Sequence, residues 1–343
     1  MNIAMAASTL PSDYPSGASY QAHYLANALV RMRHSVTMHS LSPRPMDALY
    51  DHRQLPRTPR ATIWRYALAL RQLDYRGFDA LHCHGDDCFL GFKRRPRHVR
   101  TLHGASLAEA WNCSALGHKI RIAALALGEY VSLRVADLCV ANSRSTMRYF
   151  PGVRAFIPCG VDLDTFHHGG VKSLHPTILF VGGMQGKKRG RLLLKTFQQH
   201  IRPRMPDAEL WIVSGEPVDA EGVRYFGKVG TATLVSLYQS AWVFCMPSSY
   251  EGFGVPYVEA MACGTPVVAT FNDGSREVLA DGEYGTLCTD AELGDRLFGV
   301  LQDRDARENW VRQGTNRAQI YSWTRVGSQY IASYRGEWPE GAA

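Results

Sequence analysis

Between Trp242 and Thr270 the chain reads as strand, turn, helix and strand, an order that leaves little choice of architecture. Trp242-Val-Phe-Cys-Met246 is an apolar run of strand length closed by Pro247, and Pro266-Val-Val-Ala269 reads as the next buried strand. Between them Pro256 suits the first helical position, where its missing N–H costs nothing, with Gly254 or Val255 as the cap. Gly264 is placed to end that helix in the left-handed conformation. A glycine-bearing turn therefore feeds a helix N-terminus at the carboxyl end of a parallel strand. Free N–H groups and the positive end of the helix dipole make such a place a natural anion site.

Two carboxylates bracket the turn, Glu251 before it and Glu259 about one helical turn inside. With this spacing a phosphate can rest on the amides of Phe253, Gly254 and Val255 while the carboxylates grip hydroxyls on either side. A nucleotide sugar has that distribution of groups. Glu259 taken singly is equally explained by the favour that a helix N-terminus extends to acidic residues.

The alternation seen here recurs along the chain and argues for parallel sheets wound with helices. Strands are expected at 2–8, 35–39, 79–84, 98–103, 136–143 and 153–157, then at 177–181, 209–213 and 224–230. Helical patterns fall at 17–29, 116–136, 233–240 and 290–319. His167-His-Gly-Gly-Val-Lys-Ser-Leu-His-Pro176 has linker composition, and a chain of 343 residues allows two domains of about 150 each. The expected domains are 1–163 and 172–322, with a helix over 323–343 packing back on the first.

Apolar residues make up 45% and charged residues 20%, ordinary for a globular protein. No apolar run approaches the ~18 residues a membrane span needs, and the start of the chain has no signal-peptide pattern. The cysteines form no Cys-x-x-Cys pair, so reduced thiols and a cytoplasmic setting are expected. The net charge of +7 favours anionic partners. Nucleic acid is not among the expected ones, because the basic residues are scattered without interleaved aromatics. Lys93-Arg-Arg-Pro-Arg97 reads as a solvated loop, with weak peripheral contact at the inner face of a membrane as the lesser alternative. The long helix near 116–136 is expected to pack its apolar residues into the core.

Several further groups bear on chemistry. Gly17 opens a helix after the first strand and can meet a phosphate without interference from a Cβ, although an ordinary tight turn explains it as well. Gly182-Gly-Met-Gln-Gly-Lys-Lys-Arg-Gly190 is a cationic, glycine-rich loop after a strand, a plausible diphosphate clamp. Its spacing is not that of a Walker A loop, and no Gly-x-Gly-x-x-Gly follows the first strand, which argues against a dinucleotide dehydrogenase. His103 ends a strand and faces the crevice where such sheets bind ligands. No metal is expected: His82-Cys-His84 matches no zinc spacing, and Asp162-Leu-Asp164 and Asp303-Arg-Asp305 do not follow strands.

Ser249-Tyr-Glu-Gly-Phe-Gly-Val-Pro-Tyr-Val-Glu-Ala-Met-Ala-Cys-Gly-Thr-Pro-Val-Val-Ala269 resembles the signature of family 4 glycosyltransferases. Thr101-Leu-His-Gly104, Ile157-Pro-Cys-Gly-Val-Asp162 with Phe166, Asn272 to Glu277 and the Ser322-Trp323 helix are similar to other segments of the family. The resemblance implies a GT-B fold, two Rossmann-like α/β domains facing each other across a cleft with the terminal helix crossing back to the first. It implies a retaining, metal-independent transfer from a nucleoside-diphosphate sugar, the co-substrate in place of any cofactor, to an acceptor hydroxyl. The acceptor would be a saccharide, a lipid-linked saccharide or a small molecule. Carried onto this chain, the catalytic residues are His103, Lys188 and Glu251. The donor-binding set is Gly17, Gly183, Lys187, Lys188, Glu251, Gly252, Phe253, Gly254, Val255 and Glu259. The chain departs from the family where Gly183 replaces an Arg, with Lys187 or Arg189 to compensate, and where Ser19 replaces a Glu. Glu277 is expected to cap its own short helix. Two alternatives stand beside this reading, a nucleotide-sugar epimerase of the same fold and a non-catalytic nucleotide-sugar-binding homologue.

Overall fold

The computed structural model describes residues 1–57, 62–91, 95–104, 116–153 and 155–337, without side-chain detail over 116–125. The chain forms two compact units, Met1–Gly160 with Trp323–Ala343, and Val161–Ser322.

In the first unit the elements are β1 (Asn2–Ala6), α1 (Gly17–Arg31), β2 (Ser35–Ser40), β3 (Asp51–Gln54), α2 (Thr62–Gln72), β4 (Ala80–Cys83), β5 (Arg97–Leu102), α3 (Leu116–Val135), β6 (Leu138–Ala141), α4 (Arg144–Tyr149) and β7 (Ala155–Phe156). The sheet runs β3-β2-β1-β4-β5-β6-β7 and every pairing is parallel. Successive side chains of a strand point to opposite faces. In β1, Ile3 and Met5 therefore join Leu25 and Leu29 of α1 in one buried cluster, while Ala4 and Ala6 join Tyr66 and Leu70 of α2 in another. Ser16 caps α1 in a reciprocal capping box with Ser19.

Three features of this unit differ from expectation or go beyond it. β3 has no counterpart among the expected strands, because Asp-His-Arg-Gln is a polar, mostly exposed edge strand with no apolar alternation. α2 was likewise not anticipated; it buries only Tyr66, Ala67 and Leu70 along one stripe. α3 does not pack all its apolar residues inward. Ala126 is buried, but Leu127 is 66% and Val131 43% exposed. Apolar residues occur all round this helix, and a helix against a sheet covers only one side. Among the described residues no helix is long and apolar enough to cross a membrane.

The second unit comprises β8 (Thr177–Val181), α5 (Gly190–Thr196), β9 (Glu209–Val213), β10 (Val223–Gly227), α6 (Thr231–Ser240), β11 (Val243–Met246), α7 (Val255–Ala262), β12 (Val267–Thr270), α8 (Asp273–Val278), β13 (Thr286–Cys288), α9 (Leu293–Gln302) and α10 (Arg304–Ala318). Its sheet order is β10-β9-β8-β11-β12-β13, again all parallel. In both sheets the order reverses beside the unit's first strand, which creates a crevice at the carboxyl ends of the two central strands.

The last helix, α11 (Trp323–Arg335), belongs to the first unit. Trp323, Val326, Tyr330, Ile331 and Tyr334 complete the cluster around Ile3 and Met5. A Cβ at residue 160 would lie 2.4 Å from the Trp323 ring, so only Gly160 lets the indole settle there. The Tyr334 hydroxyl pairs with His82 Nδ1 (2.7 Å), and His82 Nε2 pairs with Thr101 Oγ1 (2.8 Å). His82 is thus a hydrogen-bonded core residue.

Candidate active site

The second unit's crevice is lined by the loop after β8 and the loop after β11. The first loop leaves β8 at Gly182, whose φ of 150° and lack of a Cβ let the Lys188 chain fold over it; a Cβ there would meet Lys188 Cγ at 3.0 Å. Lys188 Nζ then lies 2.8 Å from Glu251 Oε1 and 3.3 Å from Met246 Sδ. Two residues 63 positions apart in the chain, both expected in the site, therefore form an ion pair, with Glu251 only 9% exposed.

Glu251 leads into Gly252, Phe253 and Gly254, and α7 begins at Val255. Gly254 is the cap, in the left-handed region at φ 96°, and Pro256 stands in the first turn. A Cβ on residue 254 would be 2.5 Å from the Tyr257 ring, so conformation and space both demand glycine. At the positive end of the helix Pro256 has no N–H and Tyr257 N donates to Gly254 O at 3.0 Å, which leaves the Val255 amide as the donor of the first turn. Phe253 is buried edge-on against Tyr321, with ring centroids 5.5 Å apart. Gly264 ends α7 at φ 72°, the left-handed turn its position implied.

What holds this loop was not visible in the sequence. A Cβ at Gly274 would strike Phe253 O at 2.5 Å and Glu251 Cβ at 2.8 Å, so α8 supports the loop from below through a glycine. Asn272 Nδ2 and Thr270 Oγ1 both donate to Ser248 O, at 3.0 and 2.9 Å. Asn272 also caps α8, with Ser275 completing the box, which corrects the expectation that Glu277 would cap it.

Glu259 points back from α7 and accepts from the Tyr238 hydroxyl at 3.1 Å. Burial, opposed by that hydrogen bond and by the Lys188 charge, pushes its carboxyl up to about 7. A folded-state value raised above 4.5 means that the protonated form is favoured in the fold, and that the carboxylate emerges only as pH rises through about 7. If ribose hydroxyls donate to this group, affinity for a nucleotide sugar should strengthen between pH 6 and 8, by up to about tenfold, and Glu259→Gln should flatten that rise. Calorimetric titration of donor at several pH values checks it; a flat profile in the parent protein would remove Glu259 from the ribose.

The other cations of the loop are committed elsewhere. Arg189, itself left-handed at φ 52°, donates to Pro247 O (2.6 Å), Thr270 Oγ1 (3.1 Å) and both oxygens of Asp290 (2.7 and 2.8 Å). It is a strut between loops, so it does not replace the cation missing at Gly183. Lys187 Nζ lies 4.8 Å over the Tyr250 ring. At Gly183 a Cβ would be 3.7 Å from Glu216 Oε1, a carboxylate the sequence reading overlooked; the same oxygen accepts from Met184 N at 3.2 Å.

In the first unit Gly17 is the first residue of α1, with open space where a Cβ would stand. His103 follows β5, and its Nε2 lies 2.8 Å from His84 Nδ1. Burial and then the Arg100 charge pull His103 down to about 4, so its ring is neutral at physiological pH. Cys83, Asp87 and His98 converge closely enough to hold a metal ion. Arg100, however, already ion-pairs with Asp87, and burial pushes the Cys83 thiol up to about 12. A cation would have to displace the Arg100 charge that compensates Asp87. Asp162 accepts from Asp164 N and Thr165 Oγ1, and Asp303 caps α10. Both Asp-x-Asp pairs thus begin with a residue occupied in local turns.

These two doubly wound sheets have close counterparts among solved structures. Sucrose-phosphate synthase from Thermosynechococcus elongatus superposes with a TM-score of 0.79 over 98% of each chain at 20% identity, which places the chain in the GT-B fold class of two Rossmann-like domains. A family model described as "Glycosyltransferase Family 4" matches residues 15–165, and one described as "Glycosyl transferases group 1" matches residues 175–303. The chain belongs to the family 4 glycosyltransferases. It is 35% identical over 195 residues to the phosphatidyl-myo-inositol mannosyltransferase of Mycolicibacterium smegmatis, covering 52% of this chain and 50% of that protein. This chain thus spans about half the length of that relative. Against the D-inositol 3-phosphate glycosyltransferase of Geodermatophilus obscurus it is 28% identical over 358 residues, covering 92% of this chain and 79% of the other.

Proposed function

We propose that this chain transfers a sugar from a nucleoside-diphosphate donor to an acceptor hydroxyl with retention of the anomeric configuration. The observation that carries the reading is the Lys188–Glu251 pair set beside the Gly254 turn at the N-terminus of α7. Breaking a glycosyl–phosphate bond puts negative charge on the leaving diphosphate and positive charge on the sugar ring. Lys188 and the amides at Phe253 to Val255 meet the first, and preorganised donors of this kind act without reorganising as the charge develops. Glu251 accepts from donor-sugar hydroxyls while holding Lys188 in place, and Glu259 accepts from the ribose. The leaving phosphate oxygen takes the acceptor proton on the face it departs from. With a fixed cation and a helix dipole at the leaving group, the chemistry calls on no metal. The donor belongs to the second unit and the acceptor to the first. The exposed Leu127 and Val131 on α3 favour peripheral contact with a membrane surface.

Thermal unfolding against UDP, GDP, ADP and dTDP tests the donor site, with Glu259→Ala alongside. A diphosphate at 100 times its dissociation constant should add about 2.7 kcal/mol to the parent and clearly less to the variant. Stabilisation by none of the four would remove the support for a donor site and favour a non-catalytic homologue.

A further inference from the structure

We propose that Asp86 binds the acceptor, and that the part of the acceptor it holds is a neutral polyol and not a phosphate; this rests on the glycosyltransferase reading above.

β4 leaves the first sheet through Gly85 and Asp86, at φ 120° and 58°. Outside glycine, aspartate is one of the few residues that enters the left-handed region readily, and such conformations gather where a ligand is held. The position fits. β4 lies against β1, with His84 N donating to Ala6 O at 2.8 Å, and the strand order reverses between these two strands. Asp86 therefore stands at the switch point of the first sheet, where open sheets bind their ligands. The side chain of Ser8, just past β1, favours the charged form of its carboxyl. At Gly17, Gly85 and Gly104, around the same carboxyl edge, no atom of the described residues lies within 4 Å of the place a Cβ would occupy. A ligand can approach the backbone there.

The charges at this edge select the ligand. Burial, offset in part by Ser8 and Arg100, holds the Asp86 carboxyl above its ordinary value. His84 and His103 are paired at 2.8 Å, and burial draws both below their ordinary range, so both rings are neutral. Arg100, whose charge reaches Asp86 and His103, is 4% exposed and ion-paired to Asp87. A carboxylate accepts from two hydroxyls at once, and the His84–His103 pair, with one nitrogen of each ring spent on the other, keeps one donor and one acceptor between them. Vicinal hydroxyls of a sugar or cyclitol satisfy this set, whereas a phosphate dianion would meet a carboxylate with its nearby cation already engaged.

The test is acceptor kinetics with methyl α-mannoside, methyl α-glucoside and myo-inositol, each beside its monophosphate, using whichever nucleotide sugar the parent hydrolyses. Asp86→Asn removes the charge yet tolerates the left-handed backbone, and Asp86→Gly relieves that backbone fully, so neither variant should be lost to misfolding. We expect kcat/KM for the neutral acceptor to fall about 30-fold or more in both variants. Donor KM, acceptor-free donor hydrolysis and Tm should hold within about twofold or a degree or two, which a merely structural role would not allow. Unchanged acceptor kcat/KM in Asp86→Asn, transfer to none of the neutral probes, or better transfer to the monophosphates overturns the proposal. If diphosphate binding and donor hydrolysis persist in the parent, the glycosyltransferase reading survives that failure; their absence sinks both. Conversion of donor to an isomer without acceptor also overturns it.

Discussion

Lys188→Ala should lower kcat by about two to three orders of magnitude, the usual effect of removing one preorganised group from developing charge. The lysine lies 2.8 Å from Glu251, in the loop that leads into α7, so its charge is fixed before the donor arrives. Its removal also leaves Glu251, 9% exposed, without its counter-ion. Lys188→Arg keeps the charge but not the shape and should recover part of the loss. Steady-state kinetics with the parent's own donor separates the possibilities. A fall in kcat with little change in donor KM places the lysine at the leaving group, whereas a raised KM with normal kcat would make it a ground-state binder only.

Gly254→Ala should cost roughly 2–5 kcal/mol, combining a left-handed backbone penalty of about 1–2 with overpacking of about 1–3. Both causes are local: φ is 96°, and the new methyl would lie 2.5 Å from the Tyr257 ring, which is itself buried beneath β11. The loop from Glu251 to Val255 must then shift, so nucleoside-diphosphate affinity should fall with stability. Gly17→Ala is the contrast: it opens a helix with free space beside it and should change stability by no more than about 0.5 kcal/mol. Thermal unfolding of both variants with and without diphosphate measures this. Equal, small shifts would mean that the turn relaxes easily and that its glycine is not a geometric requirement.

The parts of the fold legible in the sequence were those written in local pattern. Strands such as Thr177–Val181 and Val243–Met246 are short apolar runs, and Gly264 sits where a helix must reverse. Both sheets followed from the repetition of that pattern. β3 escaped because an edge strand need not be apolar, and α3 misled because apolar residues all round a helix do not say which side is covered. In the site, the signature motif marked Glu251 and the loop lysine, and the structure brings them into contact. Which of the loop's cations the rest of the fold ties to structural partners was not legible. Arg189 looked as available as Lys188, but three acceptors contributed from 58 to 101 positions further along the chain consume it. The support beneath Glu251, from Asn272, Thr270 and Gly274, is equally a matter of tertiary approach. The protonation of Glu259 depends on burial and on Tyr238, neither of which a sequence displays.

α11 gives the two units different histories during synthesis. The second unit is one uninterrupted segment, complete once Ser322 has been made. The first unit starts the chain yet lacks Trp323, Val326, Tyr330, Ile331 and Tyr334 until the last helix emerges, and these side chains share a core with Ile3 and Met5 of the opening strand. For most of its synthesis the nascent first sheet carries an apolar face that α1 covers only in part. The unit whose sheet is made before the second unit therefore completes its core after it, and truncation anywhere in α11 would strike the core around Ile3 and Met5.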